Sequence, residues 1–347
     1  MLAFYITLLI PIFLGLRFNL SNSYFNKDYI SVEQTNNIKG IFIWLVFIGH
    51  ILKYIVNVVP FDSFLDKSAL TVHHLLSQLV VVPFMFYSGY GVMNSIKNKR
   101  DNYVESIPRK RVLATILNFG VAVSCFIILN LLLGISMDIE QIVFSYIGWF
   151  SVGNSNWYIF TICFCYISSY ISYKICGYSR TYLIVNILIV SVFMLLLSRF
   201  KPSWWYDTCL AYCVGSVFSF FKEKIESFIF RKYTISLLAG IGLFVVTYII
   251  YILIPFAKYI FMNVCSIAFS YLIIVITMKL QVKNRFLRWS GKNLFPLYIY
   301  QRIPMILFFT IYNGILVTEY KYTYVVLCAI MSVIFAYIYK FINIKLT

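Results

Sequence analysis

Charge is scarce in this chain. Only 12% of the 347 residues are charged, with twelve acidic side chains and three histidines, where soluble domains carry about 25% charge. No stretch is rich enough in Gly, Ser or Pro to read as a linker. The longest polar connection, about 18–40, is too short to fold alone, so no extramembrane domain is expected. Walker loops, dinucleotide fingerprints, H-E-x-x-H and Ser-His-Asp groupings are absent, which excludes the chemistries those motifs carry. The eight cysteines lie in or beside apolar segments without zinc-ligand spacing. They read as small hydrophobes rather than as a metal site or a disulfide framework. No carboxylate chain of the kind used by proton-coupled pumps crosses the apolar segments. There is no clear internal repeat, which counts against transporter folds built from inverted repeats.

What the chain has is hydrophobic length. Hydrophobic residues make up 61% of it, and runs of about 20 apolar residues suffice to cross a hydrocarbon core of about 30 Å as helices. About eleven such runs are read, at 2–17, 41–59, 76–95, 112–135, 156–173, 181–198, 204–221, 233–255, 259–278, 293–314 and 321–341. The first lacks a basic n-region and a small-residue cleavage site, so it is expected to be a helix and not a cleaved signal peptide. The fold class is therefore all-α, a polytopic transmembrane helical bundle.

The net charge of +17 does not point to nucleic acid, because it sits in alternate loops. Lys97, Lys99, Arg100, Arg109, Lys110 and Arg111 follow the third run, and most other basic residues fall on the same side by alternation. The acidic residues show no such bias. Positive loops stay cytoplasmic, so the N-terminus is expected outside and the C-terminus inside. The basic side also has anionic lipid heads within reach.

Ionisable groups inside apolar runs are functional candidates by default. The run "IKGIFIWLVFIGHILKYI" places Lys39, Ile43, Val46, His50, Lys53 and Asn57 on one helical face. Lys39 and His50 stand about 16 Å apart along it, too far to touch but well spaced to hold two ends of one elongated ligand. If chemistry occurs, His50 is the evident base, since its ordinary pKa lies near neutrality. The bland alternative is a histidine bonded to a neighbouring helix, with Lys53 snorkelling to the surface. In "FMFYSGYGVMNSIKNK", Ser88, Gly89, Tyr90 and Gly91 allow close approach of a ligand or of another helix. In "ESIPRKRV", Arg109 and Arg111 suit phosphate, although positive-inside anchoring also accounts for them. In "GKNLFPLYIYQRIPMILFF", Tyr298, Gln301 and Arg302 form one polar patch, and Asp207 is the nearest carboxylate to pair with Arg302.

These motifs, in this order, resemble acyltransferase family 3, the integral-membrane acyltransferases that modify bacterial surface glycans. "KGIFIWLVFIGH" is similar to the family signature of a basic residue, ten residues and a histidine, here Lys39 and His50. "FMFYSGYG", "IPRKRV", "NSNWYIFTICFCYISSYI", "WWYDTCLAYCVGSVF" and "GKNLFPLYIYQRIPM" resemble later family segments. Lys39 departs from the usual arginine, and many members carry a histidine near the position of Gln301. The resemblance implies a ten-helix acyltransferase core at 35–347, preceded by one N-terminal helix and a cytoplasmic connector at 1–34. It also implies a multi-pass protein of the bacterial cytoplasmic membrane.

By resemblance the acyl donor is acetyl-CoA, with no resident cofactor or metal. The acceptor is a sugar hydroxyl of a surface or capsular polysaccharide, or of its lipid-linked precursor. Lys39, Arg109 and Arg111 are expected to hold CoA phosphates, with Ser88, Gly89 and Tyr90 beside the pantetheine arm. His50 would act as general base, or would itself carry the acetyl group. Lys53, Trp157, Tyr298, Gln301 and Arg302 would support the substrate or the oxyanion. Membrane lipids are expected partners, nucleic acid is not, and a homo-oligomer is compatible with the sequence. The alternative function is a transporter or flippase of lipid-linked saccharides, and a third is a non-catalytic scaffold.

Overall fold

The computed structural model of the protein describes residues 1–18, 25–59, 63–254 and 258–344. Most of this is helix. The principal helices are α1 (Leu2–Gly15), α2 (Val32–Val56), α3 (Phe64–Leu76), α4 (Val82–Lys99), α5 (Ala114–Leu132), α6 (Ile139–Ser145), α7 (Trp157–Cys176) and α8 (Arg180–Leu197). They continue as α9 (Leu210–Phe220), α10 (Lys222–Arg231), α11 (Tyr233–Leu253), α12 (Lys258–Lys279), α13 (Arg285–Lys292), α14 (Leu294–Tyr300), α15 (Arg302–Ile311) and α16 (Lys321–Ile342). Among the described residues, nine helical stretches are long and apolar enough to cross a membrane.

Two of the expected spans come out shorter. α1 has 14 residues and α9 has 11, so they rise about 21 and 17 Å, less than a hydrocarbon core. In the second case the stretch 204–209 is spent on a 3₁₀ turn and a loop around Asp207. The expected span at 76–95 instead joins two helices, α3 and α4, through a 3₁₀ turn at Ser77–Val81. In the other direction, α2 begins nine residues before the run at 41–59. Ser31 caps it by accepting from the Gln34 N–H, as N-cap serines do.

The polar start of α2 is buried because α13 lies across it. A Cβ on Gly40 would fall 1.9 Å from the Leu287 carbonyl oxygen, and one on Gly291 would fall 1.9 Å from that of Asn36. Glycine is what lets the two backbones touch. Trp44 Nε1 donates to Ser290 Oγ at 3.0 Å, and the Asn284 N–H donates to Asn37 Oδ1 at 3.2 Å. A second crossing of this kind joins α4 and α9. There Gly89 faces the Tyr212 carbonyl oxygen and Gly215 faces that of Phe86, at 1.9 and 2.1 Å from the would-be Cβ atoms.

The main core runs through α4, α5, α7, α9 and α14, with Phe84, Met93, Phe119, Phe126, Ile159, Tyr212 and Leu297 buried in it. A second cluster packs Met1, which precedes α1, and Tyr5 of α1 against Ile48, Ile51 and Ile55 of α2 and Tyr324 and Cys328 of α16. A short antiparallel pairing of Leu16–Phe18 with Leu280–Val282, which hydropathy does not signal, ties the end of α1 to the chain between α12 and α13. The bundle thus has two ends. One carries Lys97, Lys99, Arg100, Arg109, Lys110, Arg111 and Arg180 at helix termini, and is here called the basic end. The other carries the residues described next.

Candidate functional site

The last turns of α2, the 3₁₀ turn before α4 and the first turn of α7 meet at the end opposite the basic one, around a cavity of about 380 Å³. Small-molecule sites commonly span about 300–1,000 Å³. His50 and Lys53 reach it from α2, His73 from α3, Ser77 and Gln78 from the turn before α4, and Trp157 from α7. Tyr298 and Arg302 come from α14 and α15, and Trp204 from the turn before α9. Ser151, Asn154, Ser155 and Asn156 supply the remaining polar wall from the loop before α7.

That loop is held from several helices. Asn130 Nδ2 donates to the Val152 carbonyl at 2.9 Å, Gln141 Nε2 to that of Ser151 at 2.7 Å, and Asn156 Nδ2 to that of Gly148 at 2.8 Å. Lys201 Nζ donates to the Trp149 carbonyl at 2.6 Å. Its ammonium also lies 4.0, 4.8 and 4.7 Å from the ring centroids of Trp149, Phe150 and Trp205. Desolvation among these groups moves the Lys201 ammonium below the ordinary lysine value. Gly148 and Gly153 take φ of 82° and 102°, a region that side chains rarely adopt. Ser77, at φ 40°, does so with a side chain present, at the rim of the cavity.

Four polar atoms buried around this space make no hydrogen bond among the described residues. They are His50 Nδ1, Asn154 Nδ2, Ser155 Oγ and Tyr298 OH. An unmade bond at a buried polar atom costs about 1–3 kcal/mol, and these four belong to residues that line one cavity, with Ser155 and Tyr298 side by side. His50 and Tyr298 stand ring to ring with centroids 6.3 Å apart. His73 packs over Gly49, whose would-be Cβ lies 3.2 Å from its Cε1. Arg302 donates from Nη1 to the Asn154 carbonyl at 3.2 Å and from Nη2 to Tyr54 OH at 3.4 Å.

Of the residues singled out in the sequence, His50, Lys53, Trp157, Tyr298 and Arg302 share the cavity. Gln301 does not. The helix breaks at this residue, between α14 and α15, so the expected patch of Tyr298, Gln301 and Arg302 is divided. Gln301 is buried, donates to the Tyr298 carbonyl at 3.1 Å, and faces Trp44, Phe47 and Ser332. The expected pairing of Arg302 with Asp207 is not made either. Asp207 is buried in the turn before α9 with its Oδ1 unbonded, and Arg302 donates instead to the Asn154 carbonyl and to Tyr54 OH.

The residues expected on the donor side lie towards the basic end. Lys39 is half-buried near the start of α2, and Arg109 is exposed on a π-helical turn at Ile107–Leu113. Arg111, on the same turn, sits over Tyr103 at 5.9 Å and near Tyr166 and Tyr212. Ser88 neighbours Tyr158 and Tyr166, and Tyr90 lies half-buried 6.2 Å from the Phe218 ring. Gly89 is pressed against the Tyr212 backbone. Between the two groups stands Tyr158, which meets Tyr298 edge to face at 5.4 Å on one side and Ser88 on the other.

His73, Asn154, Ser155 and Trp204 escaped the sequence reading. "TVHHLLSQ", with two of only three histidines, was the available signal for His73. No family model, curated protein or solved structure matches the chain.

Proposed function

We propose that the protein is a membrane-bound O-acyltransferase. In this reading it moves an acetyl group from acetyl-CoA to a sugar hydroxyl of a surface polysaccharide or of its lipid-linked precursor. The observation that carries the reading is His50, a histidine lining a polar cavity within an apolar bundle, its Nδ1 buried without a partner and its ring beside Tyr298. A base needs a free nitrogen within reach of a hydroxyl, and the cavity offers both the nitrogen and the room.

An imidazole nitrogen of His50 takes the proton of the acceptor hydroxyl while the oxygen attacks the thioester carbonyl. The C–S bond breaks, and the leaving thiolate receives that proton from the imidazolium to become the free thiol. Tyr298 OH and the Arg302 guanidinium are the nearest donors for the oxyanion, a role worth about 10²–10³-fold per donor. CoA enters from the basic end, its phosphates met by Lys39, Arg109 and Arg111, and its thioester passes Ser88 and Tyr158 to reach His50. The basic end then faces the cytoplasm and the cavity faces outward.

Proton NMR of the host's surface glycan tests this in wild type, in a deletion strain, and with His50→Ala at equal membrane level. Loss of the O-acetyl signal in both mutants, with glycan amount unchanged, is the expected result. Loss of the glycan itself on deletion, with full acetylation restored by His50→Ala, would move the reading to a transporter of lipid-linked saccharides.

A further inference from the structure

The cavity is electrostatically one-sided. The charged or chargeable groups around His50 are Arg302, Lys53 and His73, and among the described residues no carboxylate lines the space. Arg302 is half-buried, makes no ion pair among the described residues, and spends its hydrogen bonds on a backbone carbonyl and a phenol. Lys53, one helical turn beyond His50, has neither an ion pair nor a hydrogen bond among them. Arg302 and His73 are half-buried and Lys53 is exposed at the mouth, so positive charge gathers at one wall of the cavity with no counter-charge on its lining, an arrangement that favours an anion in the same space. A transient oxyanion cannot provide this, because it exists only at the moment of reaction. His50, Asn154, Ser155 and Tyr298 add polar groups to the same lining, three of them with donors.

We propose that the acceptor bound in this cavity is an acidic saccharide, with a phosphate or carboxylate next to the hydroxyl that is modified. Lys53 and Arg302 bind that oxyanion, Trp157 and Trp204 bound the apolar face of the sugar, and the anchored group presents the hydroxyl to His50. Arg302 offers such a group the three N–H donors left over from its bonds to Asn154 and Tyr54, and Lys53 adds a point charge at the mouth. This rests on the acyl-transfer reading for its chemistry, but the charge preference is a binding property and can be measured without a donor.

The test titrates the detergent-solubilised full chain with glucose, glucuronic acid and glucose 1-phosphate at fixed ionic strength, following tryptophan fluorescence. At least one acidic sugar is expected to bind ten or more times tighter than glucose. Arg302→Gln and Lys53→Gln are each expected to weaken that sugar about tenfold or more, the loss of a charged hydrogen bond, and to leave glucose within about twofold. Lys53 is exposed, so its variant reports even if Arg302→Gln fails to fold. Preference for the phosphate identifies a sugar-phosphate acceptor, and preference for the carboxylate a uronic acid. Equal binding of all three sugars, no saturable response to either acid, or equal losses across the three overturns the proposal. Radiolabelled transfer from acetyl-CoA separates the two readings. Tight acid binding without transfer removes the acyltransferase reading alone, whereas transfer to glucose as fast as to the acids removes the anionic seat alone.

Discussion

Replacing Gly89 with alanine separates a packing role from a donor-binding role. The new Cβ would stand 1.9 Å from the Tyr212 carbonyl oxygen, 2.8 Å from its carbon and 3.2 Å from its Cα, where ordinary contact begins at 3.4 Å. Every one of these is a backbone atom, so no rotamer change relieves the clash, and α4 and α9 must part by about 1.5 Å. Overpacking costs about 1–3 kcal/mol, and a backbone clash belongs at the top of that range. Alanine's better helix propensity returns up to about 1 kcal/mol, leaving a net loss of roughly 2 kcal/mol. Gly91, on the same helix, is the control, because nothing lies within 4 Å of its would-be Cβ. Gly91→Ala should be neutral or slightly stabilising. Thermal unfolding of both variants in one detergent, read by the fraction still monodisperse after heating, makes the comparison. Gly89→Ala should unfold several degrees below wild type and Gly91→Ala should not. Indistinguishable curves would refute the packing account. A stable Gly89→Ala protein that binds acetyl-CoA poorly would return Gly89 to the donor site.

Tyr298→Phe keeps the ring against Tyr158 and removes a buried hydroxyl whose nearest polar neighbour is Ser155. Turnover should fall about 10²–10³-fold with little change in KM if that hydroxyl serves the oxyanion, while thermal stability holds or rises. Unchanged turnover would take Tyr298 out of the chemistry. Lys201→Met deletes the bond to the Trp149 carbonyl and the cation from its aromatic surroundings, together worth about 1–3 kcal/mol. Limited proteolysis in the loop at 146–156 should speed up accordingly, and an unaltered cleavage rate would show that its other side-chain bonds suffice.

How much of this could be read beforehand depends on the kind of residue. Hydropathy locates the long helices because a run such as 233–255 has little else to be, and α11 covers Tyr233–Leu253. It overestimates α9 because "WWYDT" is apolar enough to extend the run, although the chain there turns around Asp207. The periodic face of α2 correctly joins His50 to Lys53, since both positions depend on one helix alone. Periodicity fails at Gln301, where the break between α14 and α15 turns the side chain away from its sequence neighbours Tyr298 and Arg302. Asn154, Ser155, His73 and Trp204 lie on short connections or a short helix. Their part in the cavity follows from how five or more segments converge, and no local pattern encodes that.

The contact between Gly40 and α13 gives His50 a fulcrum. Ten residues, or about 15 Å, separate the two along α2, and at Gly40 the neighbouring backbone leaves no room to slide. A tilt of about 4° around that point would carry the imidazole roughly 1 Å, and a misplacement of about 1 Å is enough to change a rate 10²-fold. Substitutions beside Gly40 and Gly291 are therefore expected to act at long range. They can detune or sharpen the proposed chemistry at the far end of the bundle without altering any residue of the cavity.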